Sequence, residues 1–191
     1  MKDFPKDLKD GDIIITHNYF DIKDKNTWLS PFVRFFTNLW EKTKSPFNHA
    51  QAIVELNSQL YLFDAKGDGF QPRGTAYEYY KRKEKYYICV LRPKFEFDST
   101  LYKEAVLRYK GLKYDYGTTM ATQPVYQLTN ERLWLGKDND DKSRVNCTEV
   151  IGYIWNDTLG MQLFENPERL ESQYLYTRTD LFERYIFKKN V

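Results

Sequence analysis

The sequence predicts an α+β fold, an antiparallel sheet or partial barrel packed against helices, in a single domain spanning residues 1–191. Three observations predict it. Residues 48–65 alternate apolar and polar side chains on either side of Asn57-Ser58, the pattern of a β-hairpin. Residues 147–155 repeat apolar side chains at helical spacing behind a cysteine. Short apolar runs at 13–16 and 86–92 supply further strands, with a capped helix after the second. The 191-residue length suits one domain, and a hydrophobic content of 41% is enough to fill its core.

Asp10-Gly11-Asp12 reads as a turn, and Ile13-Ile14-Ile15-Thr16 as a short buried strand, with His17 at its end. Residues 28–40 place Trp28, Leu29, Phe32, Val33, Phe36, Leu39 and Trp40 at helical spacing. A core or lid helix, a membrane-surface helix and a partner-binding face compete for that stretch, and its single Arg does not suit a membrane anchor. Ser45-Pro46 ends it. In the strand that follows, His49, Gln51, Ile53 and Glu55 share one face, and Ala50, Ala52, Val54 and Leu56 the other. Asn57-Ser58 is a tight turn, and 59–65 returns as a second strand. That loop length pairs Leu56 with Gln59, Ile53 with Leu62 and Gln51 with Asp64. His49 and Asp64 then become diagonal neighbours on one face, roughly 7–8 Å apart at the backbone.

Lys66-Gly67-Asp68-Gly69 reads as a loop, and Thr75 with Glu78 as a capping box opening a short helix through Lys85. The strand at 86–92 buries Cys89 and stops at Pro93. Asp98 or Ser99 caps another helix, which ends at Gly111. Residues 112–117 read as a loop. Residues 117–144 are poorly periodic and hold the polar tract Lys137-Asp138-Asn139-Asp140-Asp141-Lys142, so the stretch around 117–146 is expected to be an inserted loop region. Asn166-Pro167-Glu168 turns into a short helix, and Arg184-Tyr185-Ile186-Phe187 is a closing strand.

The 29 basic and 27 acidic residues nearly cancel, which argues against a dedicated nucleic-acid binder. The basic and aromatic run at 79–87 suits a solvated helix face better than a strand-tracking groove. The two cysteines, Cys89 and Cys147, make neither a disulfide framework nor a paired zinc motif, and no metal or cofactor is expected. No signal peptide is evident, and no apolar run nears the ~20 residues of a membrane span. A reducing, cytoplasmic setting is the default expectation.

The chemistry-bearing stretch is Val145-Asn146-Cys147-Thr148-Glu149-Val150-Ile151. Asn146 suits an N-cap, and Glu149 at N3 suits the helix dipole. Cys147 then lies in the first helical turn, where the dipole favours a thiolate. The competing reading is a buried cysteine acting as a small hydrophobe. His49 has its own bland reading, a structural histidine at a strand end. Asp64, taken alone, reads as a turn residue before a glycine-rich loop.

Taken together and in order, GDIIITH (11–17), FNHAQAIVE (47–55), LYLFDAKGDGFQPRG (60–74), GLKYDYG (111–117), VNCTEVIGYIW (145–155) and NPERL (166–170) resemble the permuted papain-like cysteine hydrolases, the YiiX-like branch of the NlpC superfamily. In that branch the histidine strand precedes the cysteine helix. The resemblance implies a papain-like fold and a catalytic trio falling on Cys147, His49 and Asp64. It more often shows Glu-Ala where this chain has Asp64-Ala65. It also implies peptidase or amidase activity through a thioester, on cell-wall (peptidoglycan-derived) peptides, or acyl transfer or thioester hydrolysis on acyl lipids. The chemistry agrees: His49 takes the thiol proton, and Asp64 holds the ring by its other nitrogen. The Cys147 backbone N–H serves an oxyanion, with Tyr114 assisting. Gln51, on the same face as His49, is the alternative orienting or substrate-binding residue. A non-catalytic module whose groove holds a peptide or lipid is the reading from another class.

Overall fold

A computed structural model of the chain describes residues 7–17, 49–77, 87–115, 143–167, 170 and 172–187. The expected helix at 28–40, residues 78–85 of the helix expected to open at Thr75, and most of the 117–144 tract lie outside the described residues, while Ala76 and Tyr77 are helical. The sheet has six strands in the order β4-β3-β2-β1-β5-β8. These are β1 Ile13–His17, β2 His49–Leu56, β3 Gln59–Lys66, β4 Gly69–Thr75, β5 Tyr87–Pro93 and β8 Phe182–Phe187. Every neighbouring pair is antiparallel.

β1 is central, and its run of isoleucines is explained by burial on both faces. Ile13 and Ile15 join Ala50, Ala52, Cys89 and Leu91 on one face. Ile14 joins Ile53, Leu62, Ile88 and Val90 on the other. The β2–β3 hairpin has the predicted register, with Leu56 opposite Gln59 and Ile53 opposite Leu62. Asn57 and Ser58 both take positive φ, 52° and 60°, the backbone of a type I′ turn.

Two helices cover the Ile13/Ile15 face. Helix α1, Ser99–Tyr109, is capped by Asp98, whose carboxylate accepts from Thr100 N–H and Leu101 N–H. It packs on α2, Cys147–Leu159, and both lie against β2. Trp155 of α2 is sealed between Phe95, Phe97 and Tyr102. A short helix α3, Ser172–Thr177, leads into β8, which starts two residues before the expected tail strand. No helix among the described residues is long and apolar enough to cross a membrane.

The structure corrects the sequence reading in two places. Residues 66–69 are not a free loop. Gly67-Asp68 is a turn, and Gly69 opens β4, a strand the sequence did not suggest. Pro72 sits in it opposite Phe63, as an outer strand allows. Nor is 112–117 wholly loop. Lys113–Tyr114 (β6) pairs in parallel with Arg144–Val145 (β7), so the last residues of the predicted 117–146 loop are ordered beside the cysteine helix.

Gly69 holds these pieces together. Its φ is +98°, and a Cβ there would stand 2.4 Å from the Leu112 carbonyl oxygen. That closeness lets Phe70 N–H donate to Leu112 O (2.9 Å) and Gly111 N–H donate to Phe70 O (2.8 Å), which delivers the chain to β6. Gly69→Ala is therefore expected to cost about 1–3 kcal/mol of stability, from a strained φ and a backbone clash together. Urea unfolding against wild type measures it, and an unchanged midpoint would refute the close-approach argument.

Candidate active site

Three elements bring the site together. β2 opens on His49, β3 carries Asp64 two residues before its end, and α2 begins at Cys147. Hairpin register and strand alternation leave His49 and Asp64 as diagonal neighbours on one face. His49 Nε2 lies 2.7 Å from Asp64 Oδ1, within ion-pair distance. Asp64 is fully buried. Such a carboxylate needs partners, and its Oδ2 accepts from Gln51 Nε2 at 2.9 Å and pairs with Lys66 Nζ at 3.0 Å.

The start of α2 is fixed by a complete capping box. Asn146 Oδ1 accepts from Thr148 N–H (3.0 Å) and Glu149 N–H (2.9 Å), while Asn146 N–H donates to Glu149 Oε2 (2.9 Å). Cys147 is thereby held in the first turn, 6% exposed, beside His49 at 8%. Its sulfur accepts a hydrogen bond from the Ala50 backbone N–H and shares one with the His49 side chain. Because Asp64 engages Nε2, the ring nitrogen left for the thiol is Nδ1.

The electrostatics follow from these contacts. Burial alone would raise the Cys147 pKa, but the His49 charge, its hydrogen bond and the Ala50 N–H together bring it below the ordinary thiol value. Burial would lower His49, yet the Asp64 carboxylate and the Cys147 sulfur raise it to about 10. Burial would raise Asp64, and the adjacent His49 charge brings it down to about 2. These influences together favour a thiolate–imidazolium pair beside the carboxylate.

Cys147, His49 and Asp64 thus come together as the sequence reading placed them. Gln51 is beside them, but its amide N–H₂ is spent on Asp64 rather than on a groove. Tyr114 lies in β6, in register with Val145 two residues before Cys147, half-buried and packed on the core. Two contacts were missed. The Ala50 N–H is a backbone group with no sequence signature. Lys66 had a signal, since it stands two residues after Asp64 and shares its strand face. His17 ends β1 in register with Tyr87.

Fold and site define an α+β protein with a buried Cys-His-Asp constellation at a helix N-terminus. No protein-family model matches the sequence, and no curated protein matches it significantly. Among solved structures the chain is similar to the crystal structure of the metalloprotein yiiX from Escherichia coli O157:H7 (DUF1105). The match has a TM-score of 0.53 at 18% identity and covers 93% of this chain and 88% of that one. At that identity the likeness is one of fold, and the fold is YiiX-like.

The chain has only two histidines, so their ring signals can be followed singly by NMR. Asp64→Asn removes the strongest influence raising His49. Its titration should fall from near 10 by at least about one pH unit, because burial then acts with less opposition. An unmoved His49 titration would disprove the carboxylate's role.

Proposed function

We propose that this protein is a cysteine hydrolase of the permuted papain-like type, cleaving an amide or peptide bond through a thioester. The observation that supports it most is the Cys147–His49–Asp64 chain, with a thiol at a capped helix start, a histidine against it and a buried carboxylate 2.7 Å behind. The order His49, Asp64, Cys147 along the chain supports the permuted reading. Cell-wall peptides are the proposed substrate class, on the resemblance described above.

In this reading the Cys147 thiolate attacks the carbonyl carbon, and the His49 imidazolium gives its proton to the leaving amine. The acyl group stays on sulfur as a thioester. His49, now neutral, takes a proton from water, whose oxygen attacks the thioester and frees the acid and the thiolate. Asp64 keeps the ring oriented throughout. The cap oxygen takes up Thr148 N–H and Glu149 N–H, which leaves the Cys147 N–H at the helix start to meet the oxyanion.

The similar yiiX protein is described as a metalloprotein. Here the Asp64 carboxylate is already taken up by His49, Gln51 and Lys66. Among the described residues no group of three or more His, Cys, Asp and Glu is arranged to hold a metal. These residues do not fit a metal centre.

Cys89 provides an internal control. It is fully buried in β5, and burial pushes its thiol up to about 12. Iodoacetamide at mildly acidic pH should label native Cys147 at least ~10-fold faster than Cys89, and His49→Ala should slow Cys147 alone. Mass spectrometry of tryptic peptides reads both rates. Equal, slow labelling in wild type would reduce Cys147 to an ordinary buried thiol.

Cys147→Ala should keep the fold, since removing a small sulfur costs far less than a large core side chain. It should abolish turnover of peptidyl-aminocoumarin or cell-wall muropeptide substrates. His49→Ala should lose roughly 10²–10⁴-fold. Undiminished turnover by folded Cys147→Ala would end the proposal.

A further inference from the structure

We propose that Lys66 is a positioning residue of the thiol site: its ammonium, held 3.0 Å from the buried Asp64 Oδ2 while more than half its side chain stays in solvent, sets the pH range over which Cys147 is nucleophilic. The inference rests on the thiol-site reading above.

Strand geometry places the group. Lys66 is the last residue of β3, paired with Gly69 across the turn, and alternation puts it on the Asp64 face. Of the partners on Asp64, Gln51 is neutral and His49 is the functional cation. Lys66 is therefore a second cation in contact with the same carboxylate. Arg73, on β4, acts on Asp64 only at longer range, because its guanidinium is bound to Asp68 in the turn. Among the described residues, the buried acids on the other neighbouring elements are Asp115 after β6 and Glu149 of α2, the latter engaged in the capping box. Cys147 itself faces the site from α2.

The usual reading of a lysine at a strand end is a solvated side chain whose ion pair counts for little. Two facts set this one apart. Its partner is completely buried, so the pair is screened far less than a surface pair. That partner is also the group that holds His49.

The direction of the effect is fixed by charge. A cation beside Asp64 dilutes the carboxylate's hold on the imidazolium and favours the anionic form of every nearby acid. Without it, His49 keeps its proton to higher pH and Cys147 gives its proton up less readily. Both limbs of the reactivity profile move upward. Arginine at the position keeps the charge, methionine removes it, and glutamate reverses it.

The test is the pH profile of Cys147 alkylation by iodoacetamide, with Cys89 as the control thiol, in Lys66→Arg, Lys66→Met and Lys66→Glu. Thermal melts run beside it. Lys66→Arg should overlay wild type. Lys66→Met should move the acid limb up by about half a pH unit, a roughly threefold slower reaction at fixed pH on that limb, and Lys66→Glu further in the same direction. A merely structural lysine would alter the melts and leave the limb in place. Overlaid profiles for wild type and Lys66→Met would therefore overturn the proposal, even if Lys66→Glu does not fold. If wild-type Cys147 itself labels no faster than Cys89, the thiol-site reading falls first. An acid-reactive wild-type Cys147 with unmoved variants removes Lys66 alone.

Discussion

The structure depends on the register of one hairpin. Asn57 and Ser58 form a two-residue turn whose positive φ angles match the twist of the strands it joins. The loop length fixes Leu56 opposite Gln59, and period-two alternation does the rest. Asp64 arrives beside His49, and Phe63 points to the opposite face, under α2. A slip of one residue would exchange them. Phe63 or Ala65 would then face His49, and a carboxylate would enter an apolar core with no cation to meet it. The register therefore serves stability and site assembly at once, because burying the apolar face and pairing the buried charge demand the same alignment.

A buried charge tolerates little slack, and the other site elements are correspondingly fixed. Residues 147–155 of α2 are buried all round, against the sheet on one side and α1 on another. Gly152 lets the helix sit close to the following segment. A Cβ there would stand 3.0 Å from both Leu170 Cδ2 and Pro167 Cβ. With its back held and its start closed by the capping box, α2 cannot easily rotate Cys147 away from His49. β6 and β7 add a further tie through Asp115 N–H to Val145 O at 3.1 Å, one residue before the cap.

How much of this was legible in the sequence follows from how local each cause is. The β2–β3 hairpin and the cysteine helix are written in nearby residues, as alternation around Asn57-Ser58 and as Asn146 with Glu149 before an apolar stripe. Their meeting was legible only because register arithmetic placed Asp64 beside His49 and a family resemblance placed Cys147 with them. β4 was not legible. Gly69, Pro72 and Gly74 are poor strand formers, and the strand exists because Phe70 finds Gly111 and Leu112 across space. The β6–β7 pair was missed for the same reason, since its two strands lie far apart in sequence and are two residues each. The contact of Gln51 with Asp64 was half legible: the hairpin register set the two opposite each other, and the hydrogen bond between their side chains was not foreseen.

The two cysteines show what position alone does to one functional group. They lie near the same row of the sheet, for Ile15 of β1 pairs with Cys89 on one side and with Ala50 on the other, and the Ala50 N–H points at the Cys147 sulfur. Both thiols are buried, and burial pushes both toward the neutral form. Cys89 receives too little in return: Arg184 and the Tyr185 backbone act on it, and its pKa still rises. Cys147 receives an imidazolium, a backbone donor and a helix start together, and the balance reverses. Burial is therefore not what separates a thiol held neutral from one biased toward the thiolate in this fold. The separation comes from the charge aimed at the sulfur, and that charge is held in place by a carboxylate two strand positions beyond Leu62.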